Sequence, residues 1–481
     1  MRRLLISAAH KSSGKTMVAI GLAVALRARG LVVQPFKKGP DYIDPMWLSR
    51  SSGRTCRNLD PYLMSWEEIG AMFGRCSDGA DVALVEGNKG LYDGLALDGS
   101  NSNAALASNL GLPVVLVIDA RGMTRGIAPL ILGYQAFDRD IRIAGVILNN
   151  LGGTRHEAKL RAVIEHYTDV PVLGAIQRDS RLEIVERHLG LMPSNEAGDT
   201  EARIAAIGAA VGAQVDLERV LQSATAAPEP DLSRKPLPAI HRLPARTKVR
   251  IGIARDRAFG FYYPDDLEAI EAAGGELIPI DTLSDAHLPA IDGLFIGGGF
   301  PESFMTELEA NSSMRTEIRA AIEAGLPVYA ECGGLMYLAR KLSWRGRTCG
   351  MVGALAADAI MHDNPVGRGY VEISETSACP WPGHRRSSGA ILRAHEFHYS
   401  GLENVAEGMR YAVEIKRGHG IDGRHDGIVH KNVVASYVHR RSVGADDWAA
   451  RFVAFVRRVK RSAPAARTTG SFASTARAVA R

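Results

Sequence analysis

The sequence predicts an α/β protein of two successive units, the first a doubly wound parallel sheet carrying a P-loop. Three observations lead there. Short runs rich in Val, Ile and Leu alternate with helical patterns through residues 1–222. The alternation stops at 223–247, where Pro228, Pro230, Pro236, Pro238 and Pro244 give the composition of a linker. A second alternation begins at Lys248, so the expected divisions are 1–222, the linker, 248–455 and a basic tail, 456–481, expected to be disordered.

Taken in order, the apolar run 3–9 is a buried strand and Thr16 to Arg29 is a helix stopped by Gly30. Strands follow at Val32–Phe36, Asp81–Glu86, Pro113–Asp119, Ala144–Asn149 and Pro171–Ala175, then one helix across Asp199–Gln222. In the second unit, strands are expected at Val249–Ala254, Glu276–Ile280, Leu294–Ile296 and Pro327–Glu331, with helices at Asp265–Gly274 and Ser313–Gly325. Gly369–Ile373 and Tyr411–Ile415 read as strands of a more antiparallel half.

Composition narrows the class. At 481 residues, 46% hydrophobic and 23% charged, the chain has the make-up of a soluble globular protein with two or three cores. Its apolar runs are too short to span a bilayer, and its start resembles a strand rather than a signal peptide, so a cytoplasmic location is expected. Five cysteines, odd in number and without a CxxC pair, argue against a disulfide framework and a zinc knuckle. The net charge of +5 is concentrated at the end: residues 451–481 hold eight Lys or Arg and no acid, and removing those eight leaves −3. Neither a nucleic acid nor a membrane partner is expected.

Two motifs carry chemistry. Ala9-His10-Lys11-Ser12-Ser13-Gly14-Lys15-Thr16 joins the first strand to the first helix, the context a P-loop needs. Loop N–H groups at Ser12, Ser13 and Gly14 suit phosphate oxygens, Lys15 supplies a point charge, and Thr16 a hydroxyl for Mg²⁺. Ala9 stands where the pattern usually opens with glycine, and Lys11 is at most a helper, four residues before Lys15. Asp41 and Asp44 fit a loop at the sheet's C-terminal edge. Glu86 ends a strand where a metal-positioning carboxylate belongs, and the loop 87–94 is glycine-rich. Asn149 closes another strand, suited either to an adenine edge or to capping the next loop.

Tyr329-Ala330-Glu331-Cys332-Gly333-Gly334-Leu335 is a strand-to-helix elbow, which exposes a thiol at a helix N-terminus. Gly297-Gly298-Gly299 follows a strand and can present N–H groups to an oxyanion, as can Gly333. His395, His398, His430 and His439 are candidate bases, with His439, at the end of the run Val433–Val438, the preferred one. The pair His395 and His398 points to opposite faces of an extended stretch, which argues against a metal site. Phe259, Phe261, Tyr262 and Tyr263 are either core or the lining of a pocket for a large ring.

With these motifs the chain resembles the cobyrinate a,c-diamide synthases, glutamine-dependent enzymes of corrinoid biosynthesis. The likeness is carried by 37–45 (KKGPDYIDP), Asn58-Leu59-Asp60, Glu86-Gly87 with 90–94, Ala258-Phe259 with 261–263, 297–302, 331–335 and 395–400. It implies an N-terminal, dethiobiotin-synthetase-like ATP-dependent synthetase and a C-terminal class I glutamine amidotransferase. It also implies Cys332 as nucleophile, His439 as its activator, and Asp41, Asp44, Glu86 and Asp93 serving Mg-ATP and acyl-phosphate chemistry, with Thr16, Asp44 and Glu86 as the metal set. The implied partners are glutamine, ATP and a tetrapyrrole polycarboxylate, and a homodimer is allowed.

Asn88-Lys89 replaces an apolar pair of the family, and Arg440-Arg441 stand where a second histidine is often found. The resemblance implies amidation of the a- and c-acetate carboxylates of cobyrinate as the first expectation; these departures suggest, as the alternative, a branch acting on sirohaem, hydrogenobyrinate or nickel-sirohydrochlorin. A contrasting reading, a P-loop ATPase switch with a partner-binding second half, has no need of the elbow, the glycine strip or the late histidine.

Overall fold

The computed structural model describes residues 1–182, 184, 186–187, 190–196, 198–225, 248–382 and 390–462. Among these, the N-terminal half is a seven-stranded sheet: β1 (Arg2–Ala8), β2 (Val33–Lys38), β3 (Arg57–Leu59), β4 (Val82–Glu86), β5 (Val114–Asp119), β6 (Ile143–Leu151) and β7 (Val172–Gln177). Every pairing is parallel, in the order β3-β2-β4-β1-β5-β6-β7. Buried on both faces, β4 and β5 can be continuous Val, Leu and Ile runs, as parallel strands under two helical layers must be. The order reverses about β1, which puts the loop after Ala8 at the crevice where ligands of open α/β sheets bind.

Helix α1 (Lys15–Ala28) packs on α3 (Thr200–Gln214) through two glycines. A Cβ on Gly21 would lie 2.3 Å from Val211 Cγ2, and one on Gly208 would lie 2.2 Å from Val24 Cγ1. The helix expected across Asp199–Gln222 is two helices, α3 and Leu217–Thr225. Val215 is extended and bridges Gly174, while the Asp216 N–H donates to Leu173 O, so strand pairing with β7 breaks the helix.

The second half holds a nine-stranded sheet. Its strands are β8 (Val249–Ala254), β9 (Gly275–Ile280), β10 (Gly293–Ile296), β11 (Val328–Glu331), β12 (Gly367–Glu375), β13 (Ile391–His398), β14 (Arg410–Arg417), β15 (His425–His430) and β16 (Val433–Ser436). They lie in the order β9-β8-β10-β11-β16-β15-β14-β12-β13. Pairings are parallel from β9 to β16 and antiparallel beyond. The last helix, Trp448–Ser462, continues seven residues past the tail boundary expected at 455, because Phe452, Val453, Phe455 and Val456 are buried beside Tyr329 and Phe295. The rest of the tail, 463–481, and most of the linker, 226–247, lie outside the described residues.

The halves are docked through polar and aromatic contacts. Tyr62 stacks on Tyr370 at 4.3 Å, and the Tyr370 hydroxyl donates to Asp60 at 2.9 Å. Arg441, fully buried, donates to Asp265 Oδ2 in its own half and to Asn58 O in the other, each at 2.8 Å. No helix among the described residues is long and apolar enough to cross a membrane.

Because the α1–α3 contact has no room for a side chain at position 21, Gly21→Val should destabilise the protein by about 1–3 kcal/mol. Urea unfolding checks it; an unchanged midpoint would contradict the packing described.

Candidate functional site

After β1 the chain turns through Ser12 (φ 60) and Gly14 (φ 87) before α1 begins at Lys15. Gly14 is required twice over, by its positive φ and by Asn149 Nδ2, which a Cβ would approach to 2.1 Å. The Asn149 amide donates to Ser13 O at 3.0 Å, so it pins the P-loop backbone instead of offering that N–H to an adenine edge. Ser13 is buried with its hydroxyl donating to His10 O, so its side chain is turned into the loop. Lys11 is exposed.

Three of the expected acidic and hydroxyl groups converge in front of this loop. The Thr16 hydroxyl lies 2.6 Å from Glu86 Oε1 and 3.3 Å from Asp44 Oδ2. Among them sits a residue the sequence reading left without a role, Lys37, whose Nζ is 2.5 Å from Asp44, 3.0 Å from Glu86 and 3.9 Å from Asp41. Burial alone would discharge this lysine, but Asp44, Glu86 and Asp41 outweigh it and hold the ammonium charged. At Lys15 the balance goes the other way: burial and then Lys37 outweigh Glu86, Asp44 and Asp93 and lower its pKa to about 8. Burial and the neighbouring Asp44 push Asp41 up to about 8. Asp93 is further out, its Oδ2 accepting from Gly90 N at 2.8 Å, and it reaches Lys15 only through its charge.

The oxygen donors of Thr16, Asp44 and Glu86 suit a hard divalent cation. Glu86 Oε2 is buried with no hydrogen-bond partner among the described residues, which leaves one carboxylate oxygen uncommitted.

Across the cavity, β11 delivers the elbow. Cys332 has φ 48 and ψ −100, a conformation costing about 1–3 kcal/mol for a residue with a Cβ, and it precedes the helix Gly333–Leu338. Gly334 allows the turn, since a Cβ there would lie 2.3 Å from Ile296 O. The glycine strip abuts the elbow as expected: a Gly333 Cβ would lie 3.0 Å from Gly299 N, and a Gly298 Cβ 2.8 Å from His439 Cε1. Of the aromatic group, Tyr262 anchors that strip, its hydroxyl accepting from Gly297 N at 2.9 Å. Phe259 is core, whereas Phe261 lines the cavity.

His439 is held by backbone bonds to β13, with its N–H donating to His395 O at 2.8 Å and its carbonyl accepting from His395 N at 3.2 Å. Its ring lines the cavity with Cys332, while Nδ1 lies 3.2 Å from Glu331 Oε2. Glu331, also without a role at the start, is itself fixed by the Tyr329 hydroxyl at 2.6 Å and the Arg440 N–H at 3.0 Å. Burial disfavours the imidazolium, but Cys332 and Glu331 prevail and raise the His439 pKa to about 10. The other histidines separate cleanly. His395 stacks on His439 at 5.0 Å and is kept neutral, His398 lies under Tyr437 with Nδ1 at Ser400 O, and His430 is on the surface beside Glu323. No group of three or more His, Cys, Asp or Glu that could hold a metal ion occurs among the described residues.

One cavity of about 1010 Å³ reaches both centres, lined by Lys15, Thr16, Asp44 and Asn149 at one end and by Phe261, His395, Cys332 and His439 at the other. Tyr42 stands between them. Its ring lies parallel to Phe261 at 5.4 Å, and its hydroxyl is 3.3 Å from His439 Nδ1. Such a space suits two reactions that share a small, diffusible intermediate.

Two family models match the chain. A CobQ/CobB/MinD/ParA nucleotide binding domain covers residues 5–191, and a CobB/CobQ-like glutamine amidotransferase domain covers 250–444. The chain is 47% identical to the cobyrinate a,c-diamide synthase of Magnetococcus marinus, over 93% of this chain and 95% of that one. It is 42% identical to the enzyme of that name from Methanosarcina acetivorans, over 92% of each, and 36% identical to that of Listeria innocua, over 91% of this chain and 96% of the other.

With its raised pKa, His439 keeps its proton until the pH climbs through about 10. Glu331→Gln removes one of the groups that stabilise the charged ring, so the proton should be lost about 1 pH unit or more lower. An NMR titration of the His439 ring protons checks this; an unmoved midpoint would show that Glu331 does not set the charge.

Proposed function

The chain belongs to the cobyrinate a,c-diamide synthase family, and we propose that it converts the a- and c-acetate carboxylates of cobyrinate to amides with ATP and glutamine. It is a glutamine-dependent amide ligase of corrinoid synthesis. The observation that carries the site assignment is the shared cavity, with the P-loop lysine at one end and the elbow thiol at the other.

On the glutaminase side, the Cys332 thiolate attacks the side-chain carbonyl carbon of glutamine, and the tetrahedral oxyanion faces N–H groups of Gly298, Gly299 and Gly333. Collapse breaks the C–N bond, His439 gives its proton to the leaving nitrogen, and ammonia departs, leaving a glutamyl thioester. Water deprotonated by His439 then hydrolyses the thioester and restores the thiol. Glu331 orients the imidazole throughout, taking the place of a third member of the constellation.

On the synthetase side, an acetate oxygen attacks the γ-phosphorus of ATP, ADP leaves, and an acyl phosphate forms. Ammonia attacks its carbonyl carbon, phosphate departs, and the surplus proton goes to solvent. The sequence repeats at the second acetate. P-loop N–H groups and Lys15 hold the phosphates, and Lys37 keeps Asp41, Asp44 and Glu86 gathered before substrates arrive. Thr16, Asp44 and Glu86 would hold Mg²⁺, which supplies neutralisation of the phosphate oxygens during transfer.

Support for cobyrinate over the other rings comes from two sides. The relatives that match over nearly the whole chain carry the cobyrinate name. The Arg440-Arg441 departure is architectural: Arg440 is engaged by Asp446 and Glu375, and Arg441 by Asp265.

Cys332→Ser should lower glutamine-dependent amidation by roughly 10³-fold or more while ammonium chloride restores product formation. Lys15→Ala should lose amidation with both nitrogen sources. Mass spectrometry of cobyrinate, hydrogenobyrinate and sirohaem after incubation reads the acid-to-amide steps directly. Conversion of sirohaem in preference to cobyrinate would overturn the acceptor, and a glutaminase indifferent to Cys332→Ser would overturn the nucleophile.

A further inference from the structure

Tyr42 belongs to the N-terminal half yet touches the histidine of the other. Its two acidic neighbours in the turn face the opposite way, Asp44 onto Lys37 at 2.5 Å and Asp41 onto the same ammonium at 3.9 Å. Asp41 also ties the turn together, its Oδ1 accepting from Ile43 N at 2.9 Å and Asp44 N at 3.1 Å, while the Asn58 amide holds Gly39 O and Asp41 O. The Tyr42 ring is clamped by Phe261, by Tyr263 at 4.6 Å and by His439 at 5.3 Å. A turn braced at both ends passes a displacement on instead of absorbing it.

The contact at the far end is sensitive to displacement. His439 Nδ1 faces two oxygens, Glu331 Oε2 at 3.2 Å and Tyr42 Oη at 3.3 Å, and one ring proton is shared between them. Hydrogen bonds weaken steeply as their angle closes, so a few tenths of an ångström at Tyr42 changes the share and tilts the imidazole against Cys332. At the near end, Mg-nucleotide would bring phosphate anions towards Lys15 and Lys37 and a divalent charge towards Asp44, replacing the lysine contacts that hold the turn.

We propose that the turn Asp41-Tyr42-Ile43-Asp44 couples the two centres, so that occupancy of the nucleotide site sets, through the Tyr42 hydroxyl, the orientation of His439 and the reactivity of Cys332. The proposal rests on the site assignments made under the proposed function. Tyr42 is a positioning residue in it, since it acts on the thiol through His439. Coupling makes the glutaminase respond to the state of the synthetase, which limits release of ammonia when no acyl phosphate is waiting. By linkage the effect is reciprocal: a group fixed on Cys332 changes nucleotide affinity.

The test alkylates Cys332 with iodoacetamide in the full-length protein, with and without saturating Mg²⁺ and β,γ-methylene-ATP, and follows the rate by mass spectrometry. In the wild type the rate should change by about fivefold or more on adding the analogue. Tyr42→Phe keeps the ring and removes the oxygen, and its ratio should fall to within about twofold of one. Calorimetry should show the analogue's Kd differing by about fivefold between unmodified and alkylated wild type, a difference that Tyr42→Phe loses. Asp44→Asn, which cuts the turn at its nucleotide end, should likewise abolish the rate response. A wild-type ratio of one, or a Tyr42→Phe or Asp44→Asn protein that keeps the wild-type ratio, overturns the proposal. Failure of the amidation chemistry itself would appear as absent acid-to-amide conversion, which this assay does not read.

Discussion

The buried guanidinium of Arg441 is the constraint on which the shared cavity depends. It follows His439 by two residues, pairs with Asp265 on its own side, lies over the Tyr263 ring and donates to Asn58 O in the other half. Asn58 in turn holds the backbone of Gly39 and Asp41, which presents Tyr42 back to His439. The interface is thus a closed loop of contacts that begins and ends beside His439. Cutting such a buried pair typically costs about 3–5 kcal/mol, since the partner charge is left in a dry interior. A cavity bounded by two separate sheets needs a tie of that kind to keep its two ends in register.

Electrostatics divides the cavity into two environments. At the nucleotide end, Lys37 neutralises a cluster of carboxylates that would otherwise repel one another, and Lys15 is left with a lowered pKa by burial and by that neighbour. A polyphosphate bound there would offset both effects, since its negative charge favours the ammonium form. At the thiol end, Glu331 and Cys332 favour a charged imidazole against a strong burial penalty, and His395 beneath it stays neutral. Each end thus holds a buried cation against its own carboxylates, Lys37 by Asp44, Glu86 and Asp41 and His439 by Glu331.

The sheet strands, the P-loop and the elbow were legible because each is a local signal. Parallel strands buried on both faces are continuous apolar runs, and the elbow is marked by glycines that must sit against Ile296 and Gly299. Thr16, Asp44 and Glu86 could be paired in advance because strand ends of a parallel sheet share one edge. What escaped was the meaning of charged residues at the ends of buried strands. Lys37 is the last residue but one of β2 and Glu331 ends β11, and nothing in composition says which carboxylate or imidazole each will meet. Asn149 lies near that edge, and its amide holds Ser13 O beside Gly14, a pairing that no local signal gives. The helix break at Val215 and the continuation of the last helix beyond 455, anchored by buried Phe452, Phe455 and Val456, both follow from tertiary contacts that override local periodicity. Tyr42 joins two distant parts of the sequence, so only the docked halves reveal its role.

The central claim is that ammonia formed at Cys332 is consumed at the Lys15 end of the same cavity. It is tested most directly by giving the enzyme glutamine labelled with ¹⁵N at the amide, together with ATP, acceptor and an equal concentration of unlabelled ammonium, and measuring the isotope in the diamide product. A product enrichment close to that of the glutamine amide is the result expected. Enrichment that follows the free ammonium pool would contradict the account, because it would mean that ammonia leaves one centre for solvent before it reaches the other.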